Sequence, residues 1–169
     1  MAKYFNISGE LTQQLLAPGD NVNVSKISLT NTQKVSKCKV DLYIEKKLKG
    51  KFYLLKKVEL PIGTTLIYDN IIFNNDTDEF SLYIKLTDGA TFTLTGSIDP
   101  IASTTVTGVG TAFLSEVSIG DEIVVTGETR TVSDIASDTS LTVSSAFSDN
   151  SNDTTPDCNP TALVDVIIN

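Results

Sequence analysis

Histidine, which most often serves as a general base and often binds transition metals, is absent from this sequence. The 169 residues contain no histidine and no tryptophan. Imidazole is the side chain whose ordinary pKa lies closest to neutrality, and it is a principal zinc ligand. Proton transfer would therefore depend on carboxylates or lysines. The composition predicts that the chain is not an enzyme, has no catalytic residues and needs no cofactor.

The carboxylates do not show the spacing of a glycosidase pair. Asp121 and Glu122 are adjacent, so in a strand their side chains point to opposite faces. Cleavage of a glycosidic bond needs two carboxyl groups about 5–10 Å apart across a cleft. The sequence therefore gives no support to the cleavage of a surface polysaccharide.

A run of oxygen-bearing side chains at residues 149–153, Asp-Asn-Ser-Asn-Asp, resembles the start of a calcium-binding loop. An EF-hand loop also needs glycine at its sixth position and glutamate at its twelfth. Thr154 and Pro160 occupy those positions. We therefore predict no metal site, and we interpret residues 148–160, which are polar, acidic and contain proline, as a solvated linker.

A basic cluster around Gly50 is the first candidate for contact with a partner. It consists of Lys46, Lys47, Lys49 and Lys51. The cluster is either a solvated hairpin tip that protects an edge strand, or a contact for an acidic protein or for nucleic acid. The first alternative has the stronger support, and an acidic protein is the better partner otherwise.

Tyr4 and Phe5 form the second candidate contact. Aromatic side chains dominate the energetically important parts of protein interfaces. We expect most aromatic residues of the first half of the chain to lie in its core, and we predict that Tyr4 and Phe5 anchor a neighbouring subunit.

Charge is distributed unevenly along the chain. Residues 1–85 contain twelve lysines and nine acidic residues, whereas residues 86–169 contain one arginine and twelve acidic residues. The acidic half would repel phosphates, which argues against nucleic acid as the main partner. No apolar run approaches the 18 or more residues of a membrane span, so no membrane contact is predicted. The first residues lack the features of a signal peptide, which favours synthesis in a cytoplasm.

Strand signals dominate the first half. Residues 40–45 and 80–86 alternate apolar and polar side chains, and turn-forming residues separate such runs. Residues 10–16 have helical spacing, but seven residues cannot sustain a helix, so we predict an extended segment or one turn. The pattern predicts an all-β fold, a β-sandwich of the jelly-roll or immunoglobulin-like kind.

The amino-acid composition of the sequence changes at about residue 96. Five short strand segments separated by tight turns follow, and they predict a small β-barrel. The last apolar run, residues 163–168, is apolar on both faces apart from Asp165, which is typical of a strand inside a sheet or an interface. We therefore predict one domain of residues 1–97 plus 159–169, with the barrel of residues 98–158 inserted into it.

Two cysteines, Cys38 and Cys158, are far apart in the sequence. Two separate thiols are the favoured interpretation. A disulfide would require the segment around residue 158 to return beside residue 38, within about 7 Å between Cα atoms.

Several segments resemble small virion structural proteins of T4-like and related tailed bacteriophages, notably those that infect cyanobacteria. The segments are LTNT (29–32), VDLYI (40–44), YLLKKVELPIGTTL (53–66) and VDVII (164–168). Members of that family often carry an insertion before the last strand. Residues 104–147, with TGVGTAF, IGDEI, ETRTV and SDTSLTV, look like a module that recurs in phage tail, neck and baseplate proteins.

The resemblance implies a non-catalytic structural subunit of a tailed-phage particle, a decoration, neck, tail or baseplate component. Its expected partners are other virion proteins and further copies of itself, with no small-molecule substrate, and its expected location is the virion, assembled in the host cytoplasm. The alternative is a host-receptor or carbohydrate-binding module on a phage appendage.

Overall fold

The computed structural model describes residues 1–76 and 79–169. Contacts within the chain divide it into two compact units. The sandwich unit is Met1–Asp88 together with Ala162–Asn169, and the barrel unit is Gly89–Thr161. Strands make up nearly all of the regular structure, so the predicted all-β class is confirmed.

The elements follow one another in this order. The first nine strands are β1 (Lys3–Ser8), β2 (Thr12–Leu16), β3 (Asn23–Val24), β4 (Ile27–Asn31), β5 (Cys38–Lys46), β6 (Gly50–Leu60), β7 (Thr65–Tyr68), β8 (Phe73–Asn74) and β9 (Phe80–Thr87). The barrel unit contains β10 (Phe92–Thr93), β11 (Ser97–Asp99), β12 (Thr105–Val109), α1 (Phe113–Glu116), β13 (Glu122–Val125), β14 (Glu128–Ser137), β15 (Ser140–Val143) and β16 (Asp157–Asn159). Strand β17 (Leu163–Ile168) completes the sandwich unit.

Two four-stranded antiparallel sheets form the sandwich unit. Sheet A has the strand order β1-β17-β4-β7, and sheet B has the order β2-β9-β5-β6. Strands β3 and β8 make a separate two-stranded ribbon. When the eight strands of sheets A and B alone are counted from 1 to 8 along the chain, β17 is the eighth. Their order is then 1-8-3-6 in sheet A and 2-7-4-5 in sheet B. This is the double Greek key of a jelly roll, which decides between the two predicted kinds of sandwich.

The core of the sandwich unit lies between the sheets. In β17, Val164, Val166 and Ile168 are buried, and in β4, Ile27 and Leu29 are fully buried. Alternate residues of β9 and β5 meet them from sheet B in one hydrophobic cluster. The period of two in the sequence thus becomes a filled space between two layers.

Strand β17 lies in the middle of sheet A, between β1 and β4. The segment predicted as extended, residues 10–16, contains β2. After β3 the chain breaks its ladder at Ser25 and Lys26, whose N–H groups both donate to the Asn169 carbonyl at 2.7 and 3.0 Å. This break brings Val24 and Ile27 to the same core.

The barrel unit is a closed ring of short antiparallel strands. The ladder runs β10-β16-β13-β14-β15-β12-β11. An antiparallel bridge between Ile98 and Asp153 joins β11, at one end of the ladder, to the segment that leads into β16, next to the other end. Its two backbone hydrogen bonds are each 2.8 Å. Closure leaves few unpaired strand edges, which a sheet this small could not otherwise protect.

The structure moves the borders of the barrel unit outward from the predicted residues 98 and 158. Phe92 pairs with Cys158, and Ile123 pairs with Cys158 from the other side. Residues 89–97 and 159–161 therefore belong with the barrel. The interpretation of residues 148–160 as a solvated linker is wrong for the same reason, because their backbone supplies β16 and the closing bridge.

Local structure within the barrel also departs from prediction. Four strands and the short helix α1 occupy the region predicted to hold five strand segments. Phe113 of α1 is buried in the barrel core, whereas Ile119, an apolar residue that follows α1, is 59% exposed. Among residues 1–76 and 79–169, no helix has both the length and the apolar character needed to cross a membrane.

Candidate functional site

Strand β1 places the two predicted aromatic contacts on opposite faces of sheet A. The Tyr4 side chain is 71% exposed on the outer face. Phe5, one residue further, is partly buried and packs against the sandwich core. Alternation along the strand therefore makes Tyr4 the residue that a neighbouring protein can reach.

Tyr4 belongs to an apolar row that crosses sheet A. Tyr4 pairs with Ile167 of β17, Ile167 pairs with Ser28 of β4, and Ser28 pairs with Ile67 of β7. Ile167 and Ile67 are 37% and 55% exposed. Directly paired residues share a face with Cβ atoms about 5 Å apart. Tyr4, Ile167 and Ile67 thus form one strip, hereafter the apolar row.

The neighbouring outward-facing row of sheet A is polar and internally paired. The Asn6 amide donates to the Asp165 carboxylate at 2.6 Å, and the Thr30 and Thr65 hydroxyls are 2.9 Å apart. This row satisfies its hydrogen bonds across the strands. The apolar row beside it leaves Tyr4, Ile167 and Ile67 exposed on this face.

Ile167 and Ile67 were not among the predicted contacts. For Ile167 a signal existed, because residues 163–168 are apolar on both faces and only one face can meet the core of a sandwich. For Ile67 the signal is weaker, since a single exposed isoleucine is ordinary. Its importance comes from the strand pairing that brings it into line with Tyr4.

The basic cluster does not form a single patch. The Lys46 ammonium lies 3.0 Å from a Glu79 carboxylate oxygen and 4.9 Å from the centre of the Phe80 ring. The Lys51 ammonium lies 4.7 Å from the centre of the Tyr43 ring. Its hydrogen bond with the Tyr43 hydroxyl raises the pKa of Lys51. The ammonium groups of Lys46 and Lys51 therefore lie against aromatic rings of the sandwich unit.

The other two lysines lie at the hairpin that connects β5 and β6. Lys47 and Lys49 are exposed, and the Lys49 N–H donates to the Lys46 carbonyl at 3.0 Å to close the turn. Leu48 between them has a φ of 61° and is 99% exposed. These side chains give the tip its charge, which fits the predicted role of protecting an edge.

Three tyrosines form a row on the outer face of sheet B, hereafter the tyrosine row. Tyr83 of β9, Tyr43 of β5 and Tyr53 of β6 are paired in register. Both neighbouring ring centres are 5.4 Å from that of Tyr43. Tyr43 is only 4% exposed although it faces away from the core. The Lys56 ammonium covers Tyr53 at 3.8 Å from the ring centre.

A groove of about 410 Å³ begins where the tyrosine row ends at Tyr83. Its volume lies within the range of small-ligand sites, about 300–1,000 Å³. Both apolar surface and charged groups line it, and all of them belong to the sandwich unit. The lining residues are Pro18, Glu45, Lys47, Glu79, Ser81 and Tyr83.

In the barrel unit, the buried carboxylate of Asp121 fixes the backbone. Asp121 is fully buried, and its two oxygens accept the N–H groups of Ser118 and Thr161 at 2.8 and 2.9 Å. These bonds fasten the turn before β13 to the last residue of the unit. The arrangement is structural, because the carboxylate accepts two backbone N–H groups and, at 3.9 Å, the buried Cys158 thiol.

The oxygen-bearing run at residues 149–153 also serves the backbone. Asp149 accepts the Ser151 N–H at 2.8 Å, and Asp153 accepts the N–H groups of Thr155 at 2.9 Å and Thr126 at 2.7 Å. In the part of the chain that the structure describes, no three or more cysteine or acidic side chains converge as metal ligands would. The run shapes the loop that closes the barrel.

Both cysteines are free and buried. Burial is the main cause that raises the pKa of Cys38 to about 11 and that of Cys158 to about 12. Nearby carboxylates add to the effect, Asp88 for the former and Asp121 for the latter. The nucleophilic form of cysteine is the thiolate, so neither thiol is activated for chemistry.

Comparison with known proteins gives few matches. No protein-family model matches the sequence, and no curated protein sequence matches it. Solved structures with some likeness include that of infectious bursal disease virus Gx strain, at 10% identity and a TM-score of 0.27, covering 98% of this chain and 32% of that chain. A second virus structure, the T13 IBDV viral particle, matches at 8% identity and a TM-score of 0.27, covering 99% of this chain and 38% of that one.

A serine protease of Aeromonas sobria matches at 9% identity and a TM-score of 0.28, covering 100% of this chain and 26% of that one. The chain therefore spans about a third of the length of the solved chains it matches. This protease contradicts the prediction that the chain is not an enzyme, which rested on the missing histidine. That prediction is withdrawn, and no catalytic residue is assigned in its place. Likenesses at this level establish no family for the chain.

Proposed function

We propose that the chain is a structural subunit of a tailed-bacteriophage virion and that the apolar row of sheet A is its contact with a further copy. The sequence resemblance to phage virion proteins supports the phage origin. The apolar row is the observation that carries the assembly role, since it aligns three exposed apolar side chains on one sheet face.

The size of the face sets the strength of this contact. Four strands spaced about 4.8 Å apart and about five residues long, at about 3.4 Å each, cover roughly 300 Å². A stable interface buries about 800 Å² on each partner. A single contact through sheet A is therefore weak, and it becomes effective where many copies are held side by side, as in a particle.

The row suits contact between identical subunits. Tyr4 and Ile67 lie at its two ends, with Ile167 between them. Two copies facing each other across a two-fold axis would place Tyr4 of one against Ile67 of the other. Such self-complementary contacts are the commonest way in which identical chains associate.

Sedimentation equilibrium over a wide concentration range tests the assembly role. We expect weak self-association of the wild-type chain, and we expect the double substitution Ile67→Ser with Ile167→Ser to weaken it by about tenfold or more, because each removes buried apolar area. The matched control is Ile72→Ser, which removes an isoleucine that is 96% exposed and lies outside the row. All three positions are exposed, so thermal stability should change by less than about 0.5 kcal/mol. Equal association of the wild-type chain and the double variant would overturn the proposal.

A further inference from the structure

We propose that the groove beside Tyr83 on sheet B binds a neutral oligosaccharide. This function goes beyond assembly and does not depend on it, because the groove and the apolar row lie on different sheets of the sandwich unit. The support comes from the fixed position of one aromatic ring, from the chemistry of the groove lining and from its size.

The Tyr83 ring is held in place from two sides. It stacks on the Tyr43 ring, with centres 5.4 Å apart and planes 20° from parallel. The Gln14 amide donates a hydrogen bond of 3.1 Å to the Tyr83 hydroxyl. A ring fixed before the ligand arrives loses little conformational freedom on binding. Tyr83 therefore offers a preorganised wall.

The rest of the lining is also held in place. Lys46 contacts the Glu79 carboxylate at 3.0 Å, and the Lys47 N–H donates to the Glu79 carbonyl at 2.9 Å. Ser81 of β9 is only 8% exposed, and it pairs directly with Glu45 of β5. The polar groups that face the groove thus stand on paired strands and on a braced turn.

The mixture of groups in the lining selects the class of ligand. A purely apolar ligand would take the Glu45 carboxylate and the ion pair between Glu79 and Lys46 out of water without replacing their hydrogen bonds, which is costly. An anionic ligand would meet two carboxylates and one ammonium, that of Lys47. A sugar avoids both problems, because its hydroxyls pair with carboxylate, ammonium and hydroxyl groups. Its C–H face can meanwhile lie on the negative face of the Tyr83 ring.

The binding test uses the full chain with maltotetraose, cellotetraose and tetra-N-acetylchitotetraose as neutral probes and dextran sulfate as an anionic one. In amide-resolved NMR titrations of the wild-type chain, we expect shifts from a neutral probe centred on Glu45, Ser81 and Tyr83. Because the wild-type chain is used, this readout is independent of any effect of a substitution on folding. Shifts centred elsewhere, no shifts with any neutral probe, or tighter binding of dextran sulfate would each overturn the proposal.

Two substitutions in the tyrosine row provide a matched pair. Tyr83→Ala removes the wall of the groove, so we expect the affinity for the neutral probe to fall about tenfold or more. Tyr53→Ala removes the other ring packed on Tyr43, but Tyr53 does not line the groove. The affinity of this variant for the neutral probe should therefore stay within about twofold of that of the wild-type chain. An equal loss in both variants would contradict the assignment. The double variant of Ile67 and Ile167 should bind like the wild-type chain, which separates this test from that of assembly.

Discussion

The sandwich unit and the barrel unit differ in what neutralises their carboxylates. In the sandwich unit, Asp20 and Asp41 each accept a backbone N–H and also contact a lysine, Lys3 and Lys56 respectively. Residues 89–161 contain ten acidic residues and a single basic one, Arg130. Cations are therefore scarce in the barrel unit, and its carboxylates must find other partners.

Backbone N–H groups are those partners. Six carboxylates of the barrel unit accept at least one of them, and the acceptors are Glu116, Asp121, Glu128, Asp138, Asp149 and Asp153. Hydrogen bonds to an ionised acceptor are stronger than neutral ones. The negative charge of this unit is thus partly structural, because short loops around a small barrel leave N–H groups that carboxylates can satisfy.

Removal of residues 162–169 is the largest perturbation that separates the two units. It deletes the central strand of sheet A with Val164, Val166 and Ile168, each worth about 1.5–3 kcal/mol of burial. Their sum is comparable with the whole stability of a domain, about 5–15 kcal/mol. We expect the sandwich unit to unfold, while the barrel unit keeps its transition because Thr161, the partner of Asp121, remains.

Segment-resolved hydrogen exchange measures the outcome, with loss of protection in β4 and β5 but not in β13 and β14. Ile167→Ser, at an outward-facing position of the same strand, is the control and should leave protection intact. Unchanged protection of β4 after truncation would show that β17 does not hold the sandwich together.

Asp121→Ala sharpens the comparison within the barrel unit. It leaves the N–H groups of Ser118 and Thr161 without their acceptor in a buried place. We expect the barrel transition in urea to lose about 2–4 kcal/mol, since each unsatisfied buried donor costs about 1–3 kcal/mol. Asp134→Ala, at an exposed position of β14, should lose less than about 0.5 kcal/mol. Equal effects of the two substitutions would contradict the structural role of the buried carboxylate.

Acid should lower the stability of the barrel unit through Glu128. We expect this effect to be smaller than those of removing residues 162–169 and of Asp121→Ala. Hydrogen bonds from the Ser148 hydroxyl and the Asp149 N–H are the main causes that lower the pKa of Glu128 from 4.5 to about 2. Because the folded state binds this proton more weakly, the contribution is complete above pH 4.5 and is lost as the pH falls towards 2.

Urea unfolding of the barrel unit between pH 2 and pH 7 measures this dependence. Glu128→Gln should be less stable than the wild-type chain near neutral pH, and the two should converge towards pH 2. Glu122→Gln, at an exposed position of β13, is the control and should run parallel to the wild-type chain. A constant difference between Glu128→Gln and wild type across this range would contradict the assignment.

Much of the fold followed from local pattern. Alternation of apolar and polar residues in 40–45 and 80–86 predicted β5 and β9, because a period of two is typical of a β-strand with one buried face. The helix α1 and the extent of the barrel did not follow in the same way. Phe92 and Thr93 are too short a segment to signal a strand, and only their pairing with β16 makes them one.

The candidate sites were predictable only in part. Tyr4 was predicted as a contact from its residue type, yet its aligned neighbours Ile67 and Ile167 come from strands separated by about a hundred residues. The groove beside Tyr83 was not predicted at all. No spacing in the sequence indicates that Pro18, Glu45 and Tyr83 line one concavity.

The sequence by itself determined the all-β class, the uneven charge and the inward-facing residues of the long strands, because these depend on residue type and on a spacing of two. Tertiary structure decided the jelly-roll order of the strands, the closure of the barrel and the alignment of the apolar and tyrosine rows. The physical reason is that strand pairing joins residues distant in sequence, and its register, rather than any local preference, chooses which side chains share a face.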